Sequence, residues 1–214
     1  MRNSATVILS LFALTAVLAI PSLADSTAFT DLGAGGSYDT MDGFAICGLS
    51  SGCGHYQSTA DGFTAEVGGV LSQINVALGY VLGTNSAVVS VYTDVSGGLG
   101  SLLFSGTVAG TTSTGLATLT PSSGSLVAGH DYFLVITPGA ADTFDGWAYN
   151  NQNAVGPVLI DNGLGFSNEG SETLEAFDVK VNAATVPEPS SWLMLGAELL
   201  LLLGVSAAHR KLFA

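Results

Sequence analysis

The chain of 214 residues carries 17 Asp and Glu but only 4 Lys and Arg, which gives a formal net charge of −13. Of these, 15 acids but a single base, Lys180, fall between residues 25 and 186. Because such a surface repels a phosphate backbone, we expect no nucleic-acid partner.

The first predicted element is an export signal over residues 1–24. Arg2 precedes an apolar run from Val7 to Ile20, and the run is followed by the small-residue end Ser22-Leu23-Ala24. The run is short for a bilayer crossing, which needs about 20 apolar residues. We therefore expect cleavage after Ala24, with a retained N-terminal membrane helix as the alternative.

Two cysteines, Cys47 and Cys53, enclose the Gly- and Ser-rich segment CGLSSGC. After export into an oxidising compartment, this spacing favours a local disulfide. A redox or metal pair is the alternative, but the second ligand pair that zinc sites require is missing from the sequence. A bridge over so short a loop stabilises the chain by about 2 kcal/mol, so it holds a loop and not the whole fold.

The middle of the chain predicts short strands, because apolar residues recur there with period two between turn residues. In LSQINVALGY, for example, Ile74, Val76 and Leu78 share one face. Helices are disfavoured by 26 glycines between Asp25 and Val186, since each interior Gly costs roughly 1 kcal/mol relative to Ala. About eight to ten strands predict one all-β domain over residues 25–185, a jelly-roll-like antiparallel β-sandwich. The other predicted strands lie at 87–94, 101–108, 115–121, 131–138, 146–150, 157–160 and 175–183.

Two stretches carry a family resemblance over residues 62–151. They read DGFTAEVGGVLSQINVALGYVLGTNSAVVSVYTDVSGGLGSLLFSGT and GSLVAGHDYFLVITPGAADTFDGWAYNN. Their order of motifs resembles that of the bacterial choice-of-anchor R domain. It begins with an F-T strand and an alternating leucine strand, continues with V-x-V-Y-x-D and a glycine turn, and ends with L-x-A-G-x-x-Y-x-L-V before a Trp strand. The turn departs from it, with Gly98-Leu99-Gly100 where the family often has a proline before the glycine. The resemblance implies an exported jelly-roll-like sandwich without an assigned biochemical role.

The last predicted elements occupy residues 186–214. Pro187 and Pro189 keep Glu188 extended, because proline restricts its own φ and the residue before it. Residues 190–208 would span roughly 28 Å as a helix, close to the hydrocarbon thickness of a membrane. A basic tip at 209–211 follows at once and marks the cytoplasmic side, which leaves the acidic domain outside the inner membrane.

Three parts follow one another in this tail: the motif Val186, Pro187, Glu188 and Pro189, the apolar helix, and the basic tip with Arg210 and Lys211. Together they resemble the PEP-CTERM sorting tail of Gram-negative bacteria. The resemblance implies a membrane protease of the exosortase type as partner. It implies transient anchoring, cleavage near the proline motif, and release or transfer to the cell surface or the extracellular space, often in organisms that make exopolysaccharide. A plain C-terminal anchor that is never cleaved is the alternative.

Catalytic motifs are missing from the sequence of residues 25–185. His55 and His130 lie 75 residues apart, and neither belongs to a hydrolase or metal motif. Asp94 and Asp161 lie in predicted turns, where calcium ligation is the alternative to ordinary turn hydrogen bonding. We expect no catalytic residue, no cofactor and no bound metal, and a non-enzymatic surface or extracellular-matrix protein.

Asp145, Trp147 and Tyr149 form the most suggestive polar and aromatic group. Trp and Tyr stack on sugar rings and Asp bonds hydroxyl groups, so these three are candidate glycan-binding residues of a module that retains exopolysaccharide. Core packing of Trp147 in a strand is the alternative. A hydrolase is a further alternative and would need two carboxylates about 5–10 Å apart in an open groove, with Asp142 and Asp145 as the nearest pair in sequence.

Overall fold

The computed structural model describes residues 24–113 and 115–183. The predicted signal, the sorting motif, the transmembrane helix and the basic tip lie outside this part. In this part of the chain, no helix is long and apolar enough to cross a membrane. The regular structure of the described residues is β, in strands β1 (Ala24–Thr30), β2 (Gly43–Cys47), β3 (Ser58–Thr64), β4 (Gly69–Val76), β5 (Leu78–Leu82), β6 (Ala87–Asp94), β7 (Leu99–Val108), β8 (Ala117–Leu119), β9 (Ser125–Leu126), β10 (Asp131–Pro138), β11 (Phe144–Ala148), β12 (Val155–Asp161), β13 (Phe166–Thr173) and β14 (Phe177–Ala183).

The strands form three antiparallel sheets. The largest has the order β13-β12-β3-β10-β6-β7, the second has the order β1-β14-β4-β8 with β9 also paired to β4, and the third has the order β2-β11-β5. This confirms the predicted all-β class and is consistent with a β-sandwich. The strands of the described part outnumber the eight to ten expected, because several of them are polar or only two to five residues long.

The main hydrophobic core takes side chains from all three sheets. On β10, Leu134 and Ile136 belong to this core, whereas Phe133 and Val135 belong to a second, smaller cluster on the opposite face. Successive side chains of a strand point to opposite faces, so β10 is buried on both sides. The continuous apolar run YFLVI in its sequence is therefore the signature of a central strand.

The chain passes from one sheet to another at Ala77, between β4 and β5. The Ala77 N–H donates to the carbonyl of Ala176 at 3.0 Å, and its own carbonyl accepts the N–H of Ala148 at 2.9 Å. The alternation predicted for Ile74, Val76 and Leu78 continues through this junction, and all three side chains are fully buried. The second and third sheets thus share one apolar face at this point.

The predicted disulfide between Cys47 and Cys53 is present, with the two Cα atoms 6.2 Å apart. Cys47 is the last residue of β2, and its N–H and carbonyl exchange two hydrogen bonds of 2.9 Å with Gln57. The bridge therefore closes the loop that leads from β2 to β3.

Candidate functional site

Strand β11 presents two different faces. Asp145 and Trp147 point inward and are fully buried, whereas Phe144, Gly146 and Ala148 are half-buried on the outward face. Two of the three candidate glycan-binding residues are therefore on the inward face of this strand.

Trp147 packs in the main core. Its side chain is 0 % exposed, its indole N–H donates to the carbonyl of Ala176 at 3.1 Å, and its ring centroid lies 5.9 Å from that of Phe177. A ring in this position offers no face to a sugar. Trp147 thus occupies the place that the core-packing interpretation gives it.

Asp145 and Tyr149 do not share a surface. Both carboxylate oxygens of Asp145 are buried without a hydrogen-bond partner, and this burial raises its pKa to about 6. Tyr149 is half-buried beside Phe44, with the two ring centroids 6.4 Å apart in an edge-on arrangement. Burial and the nearby carboxyls of Glu175 and Asp61 raise the pKa of its hydroxyl.

A groove of about 520 Å³ lies on the outward face of the third sheet. Its floor contains a row of small residues in register across three strands, Ala45 of β2, Gly146 of β11 and Gly79 of β5. A Cβ atom on Gly146 would meet no other atom within 4 Å, so the space above the floor is open. The other residues of the groove include Tyr38, Met41, Asp42, Tyr80, Thr111 and Phe144.

Two tyrosine rings of this groove are held by their hydroxyl groups. The Tyr38 hydroxyl donates to the carbonyl of Gly115 at 3.0 Å and accepts the N–H of the same residue at 2.8 Å. The Tyr80 hydroxyl donates to the carbonyl of Gly83 at 3.0 Å. Fixed aromatic rings beside a flat floor of Gly and Ala form a surface on which a sugar ring can stack.

Sequence reasoning missed this groove because its floor has no distinctive side chains. The signal that would have found it is the alternation of small with bulky residues in GFA (43–45), LGY (78–80) and GWA (146–148). Alternation puts Gly79 and Gly146 on the face opposite to the buried Leu78 and Trp147. The same rule assigns Trp147 and Gly146 to opposite faces of β11.

A second chemically distinctive group is the acid cluster, which we define as Asp31, Asp61 and Glu175. These side chains are 4 %, 0 % and 0 % exposed. Asp61 Oδ2 accepts the N–H of Glu175 at 2.6 Å, and Asp31 Oδ1 accepts the N–H of Phe177 at 2.8 Å. Their four remaining oxygens are buried and have no hydrogen-bond partner.

Burial raises the pKa of every carboxyl in the acid cluster. It raises the pKa of Asp31 to about 7 and that of Glu175 to about 7. It raises the pKa of Asp61 well above its usual value, and the neighbouring carboxyl of Glu175 raises it further. Groups of three or more His, Cys, Asp or Glu arranged to hold a metal ion are not found in the described part of the chain.

The acids considered for calcium occupy ordinary turns. Asp94 Oδ1 accepts the N–H of Gly97 at 2.7 Å. Asp161 Oδ1 accepts the N–H groups of Gly163 and Gly165 at 2.7 and 2.8 Å. Both carboxylates thus act as turn residues that bond the backbone just after them.

Comparison with known proteins adds no relative: no family model matches the chain, and no curated protein matches it significantly. The resemblances to the PEP-CTERM tail and to the choice-of-anchor R domain stay predictions from the sequence.

Proposed function

We propose that this protein is an exported, non-enzymatic component of the cell surface or the extracellular matrix. In this proposal the signal over residues 1–24 exports the chain, and the tail over residues 186–214 holds it in the inner membrane until an exosortase-type protease processes it. The three antiparallel sheets form a jelly-roll-like β-sandwich of the choice-of-anchor R type, which is the exported cargo.

The observation that carries the proposal is the order of the tail. Val186, Pro187, Glu188 and Pro189 come first, an apolar segment of 19 residues follows, and Arg210 and Lys211 stand behind it. Basic residues stay on the cytoplasmic side of a membrane span, so the strongly acidic domain comes to lie outside. The disulfide between Cys47 and Cys53 agrees with an oxidising destination.

Mass spectrometry of the mature ends tests this function. In cells that have the processing protease, we expect an N-terminus at Asp25 and a C-terminus near Pro189, without Lys211. In a strain without the protease, Lys211 stays on a membrane-bound chain. The double substitution Pro187→Ala with Pro189→Ala should block processing, whereas Ser122→Ala, at an exposed position of the domain, should not. An intact Lys211 end in protease-containing cells would contradict the proposal.

The groove favours a second function, the binding of an uncharged polysaccharide. Asp42 is the only charged side chain among the described residues that line it, and the acidic domain repels polyanions. The aromatic rings of Tyr38, Tyr80 and Phe144 stand beside its Gly and Ala floor. The same domain would then retain exopolysaccharide at the surface, with the groove in place of Trp147.

Binding of the full chain to a glycan array and to neutral polysaccharides from producing cells tests this second function. Gly146→Leu fills the groove at a position where a Cβ meets no atom, and Tyr80→Ala removes a ring. Each should weaken binding about tenfold, equivalent to about 1.4 kcal/mol. Thr107→Leu, an exposed change on β7, is the matched control and should bind as the parent does. If no glycan binds, or if Gly146→Leu has no effect, the groove has another role.

A further inference from the structure

The acid cluster joins parts of the chain that are far apart in sequence. Asp61 lies in β3, in the middle of the six-stranded sheet, and its hydrogen bond to the N–H of Glu175 spans 114 residues. Asp31 follows β1, and its hydrogen bond to the N–H of Phe177 spans 146 residues. Both acids therefore hold the entry into β14, the last strand described.

Asp61 and Glu175 are the two fully buried carboxyls of this cluster, and the Asp61 carboxyl lies against the backbone N–H of Glu175. Asp61 Oδ1 and both ε oxygens of Glu175 have no hydrogen-bond donor. Two carboxylates do not both stay ionised where they are fully buried, because burial removes most of their solvation and no opposite charge among the described residues offsets their repulsion. A carboxylic acid beside a carboxylate removes this conflict, since the acid supplies the missing donor.

The groups around the pair offer no positive charge to replace that proton. Asp31, just after β1, interacts with both acids of the pair, and Asp178 of β14 lies near Asp31 in turn. Tyr149 follows β11, and the carboxyls of the pair, together with those of Asp42 and Glu172, raise the pKa of its hydroxyl. Lys180 is the only Lys or Arg among the described residues, and its Nζ lies 3.9 Å from Asp178 Oδ2.

We propose that near neutral pH Asp61 and Glu175 share one proton in the folded protein, with Asp61 as the hydrogen-bond donor and Glu175 as the acceptor. The junction of β3 with β14 is then an acid-dependent latch. It is closed while the proton is present and is weakened when both carboxyls ionise.

The direction of the pH effect follows from where the proton binds more tightly. In the unfolded chain Asp and Glu have pKa values of about 4, whereas burial raises the pKa of Glu175 to about 7 and that of Asp61 well above its usual value. The folded chain thus holds more protons. The stabilisation is complete below about pH 4 and is lost as the pH rises through about 7 and beyond.

Unfolding of the full chain in urea with a chelator present, between about pH 5 and about pH 8, tests the latch. Each extra proton in the folded state makes the unfolding equilibrium constant rise about tenfold per pH unit. Asp61→Asn should reduce this slope by about one proton, because its amide donates to Glu175 at any pH. Asp142→Asn makes the same charge change at an exposed position and should leave the slope unaltered. A parent chain as stable at about pH 8 as at about pH 5, or an unchanged slope in Asp61→Asn, would overturn the proposal.

Infrared spectroscopy keeps the proposal testable if Asp61→Asn does not fold. The parent chain should show the carbonyl stretch of a protonated carboxylic acid near pH 6 and lose it in alkali, whereas a missing band would overturn the latch. Calcium distinguishes a proton from a cation as the shared partner. If added calcium near pH 8 restored the stability seen near pH 5, the pair would hold a cation and the proposal would be wrong.

Discussion

Neighbouring residues of the segment DGW in β11 have different roles, because they point to opposite faces of the strand. Trp147 and Asp145 face the interior, and Gly146 between them faces the groove. The aromatic residues that line the groove include Tyr38, Tyr80 and Phe144, which come from three different segments. A loss of glycan binding on substitution of Trp147 would therefore report damage to the core.

Substitution of Trp147 should destabilise the domain. Trp147→Ala removes a fully buried indole, and we expect a loss of about 3–5 kcal/mol in the free energy of unfolding. Trp147→Phe should lower the free energy of unfolding by about 1–3 kcal/mol, mainly because a smaller ring leaves space in the core. The carbonyl of Ala176 loses the indole N–H but still accepts the N–H of Ala77. Urea unfolding at fixed pH measures both.

The control for Trp147 is Tyr80→Ala, a half-buried ring on the groove whose removal should cost about 1 kcal/mol or less. If Trp147→Ala were as stable as the parent, the core position of this indole would be wrong.

At the scale of the strands, apolar alternation predicted several of the well-packed ones, although β2 was not among them. β10 has the predicted bounds, 131–138, and β14 begins two residues after the predicted start at 175. β13 went unpredicted, because FSNEGSET has almost no apolar residues and lies at a sheet edge with its side chains in solvent. An edge strand is held by backbone bonds to one neighbour, which leave no mark on the apolar pattern.

β3 shows the opposite reason why apolar alternation misses a strand; only its end, Phe63-Thr64, was expected, from the F-T strand of the family resemblance. Its sequence STADGFT is mostly small and polar, yet it lies in the middle of the six-stranded sheet with Ser58, Thr59 and Asp61 buried. Tertiary packing overrides strand propensity at such a position. The acid cluster was invisible for a related reason, since Asp61 and Glu175 are brought together only by the sheet order.

At the scale of the whole molecule, an excess of acids makes stability depend on pH in two ways. With 15 acids and one base between residues 25 and 186, exposed carboxylates repel one another more as they ionise. The buried pair of Asp61 and Glu175 adds its own proton binding. Both effects favour the folded state in mild acid, so the pH dependence alone does not separate them.

Salt separates the two effects, because mobile ions screen exposed charges within about 8 Å at 0.15 M but screen buried ones much less. Near pH 8, we expect salt to raise the Tm of the full chain by about 2–4 °C for each kcal/mol of relieved surface repulsion. The rise should be similar in the parent and in Asp61→Asn. Salt should not remove the difference in Tm between the parent chain near pH 5 and near pH 8, because mobile ions screen the buried, ionised pair only weakly. Scanning calorimetry at low and high salt measures each Tm, and a pH dependence abolished by salt would assign the whole effect to the surface.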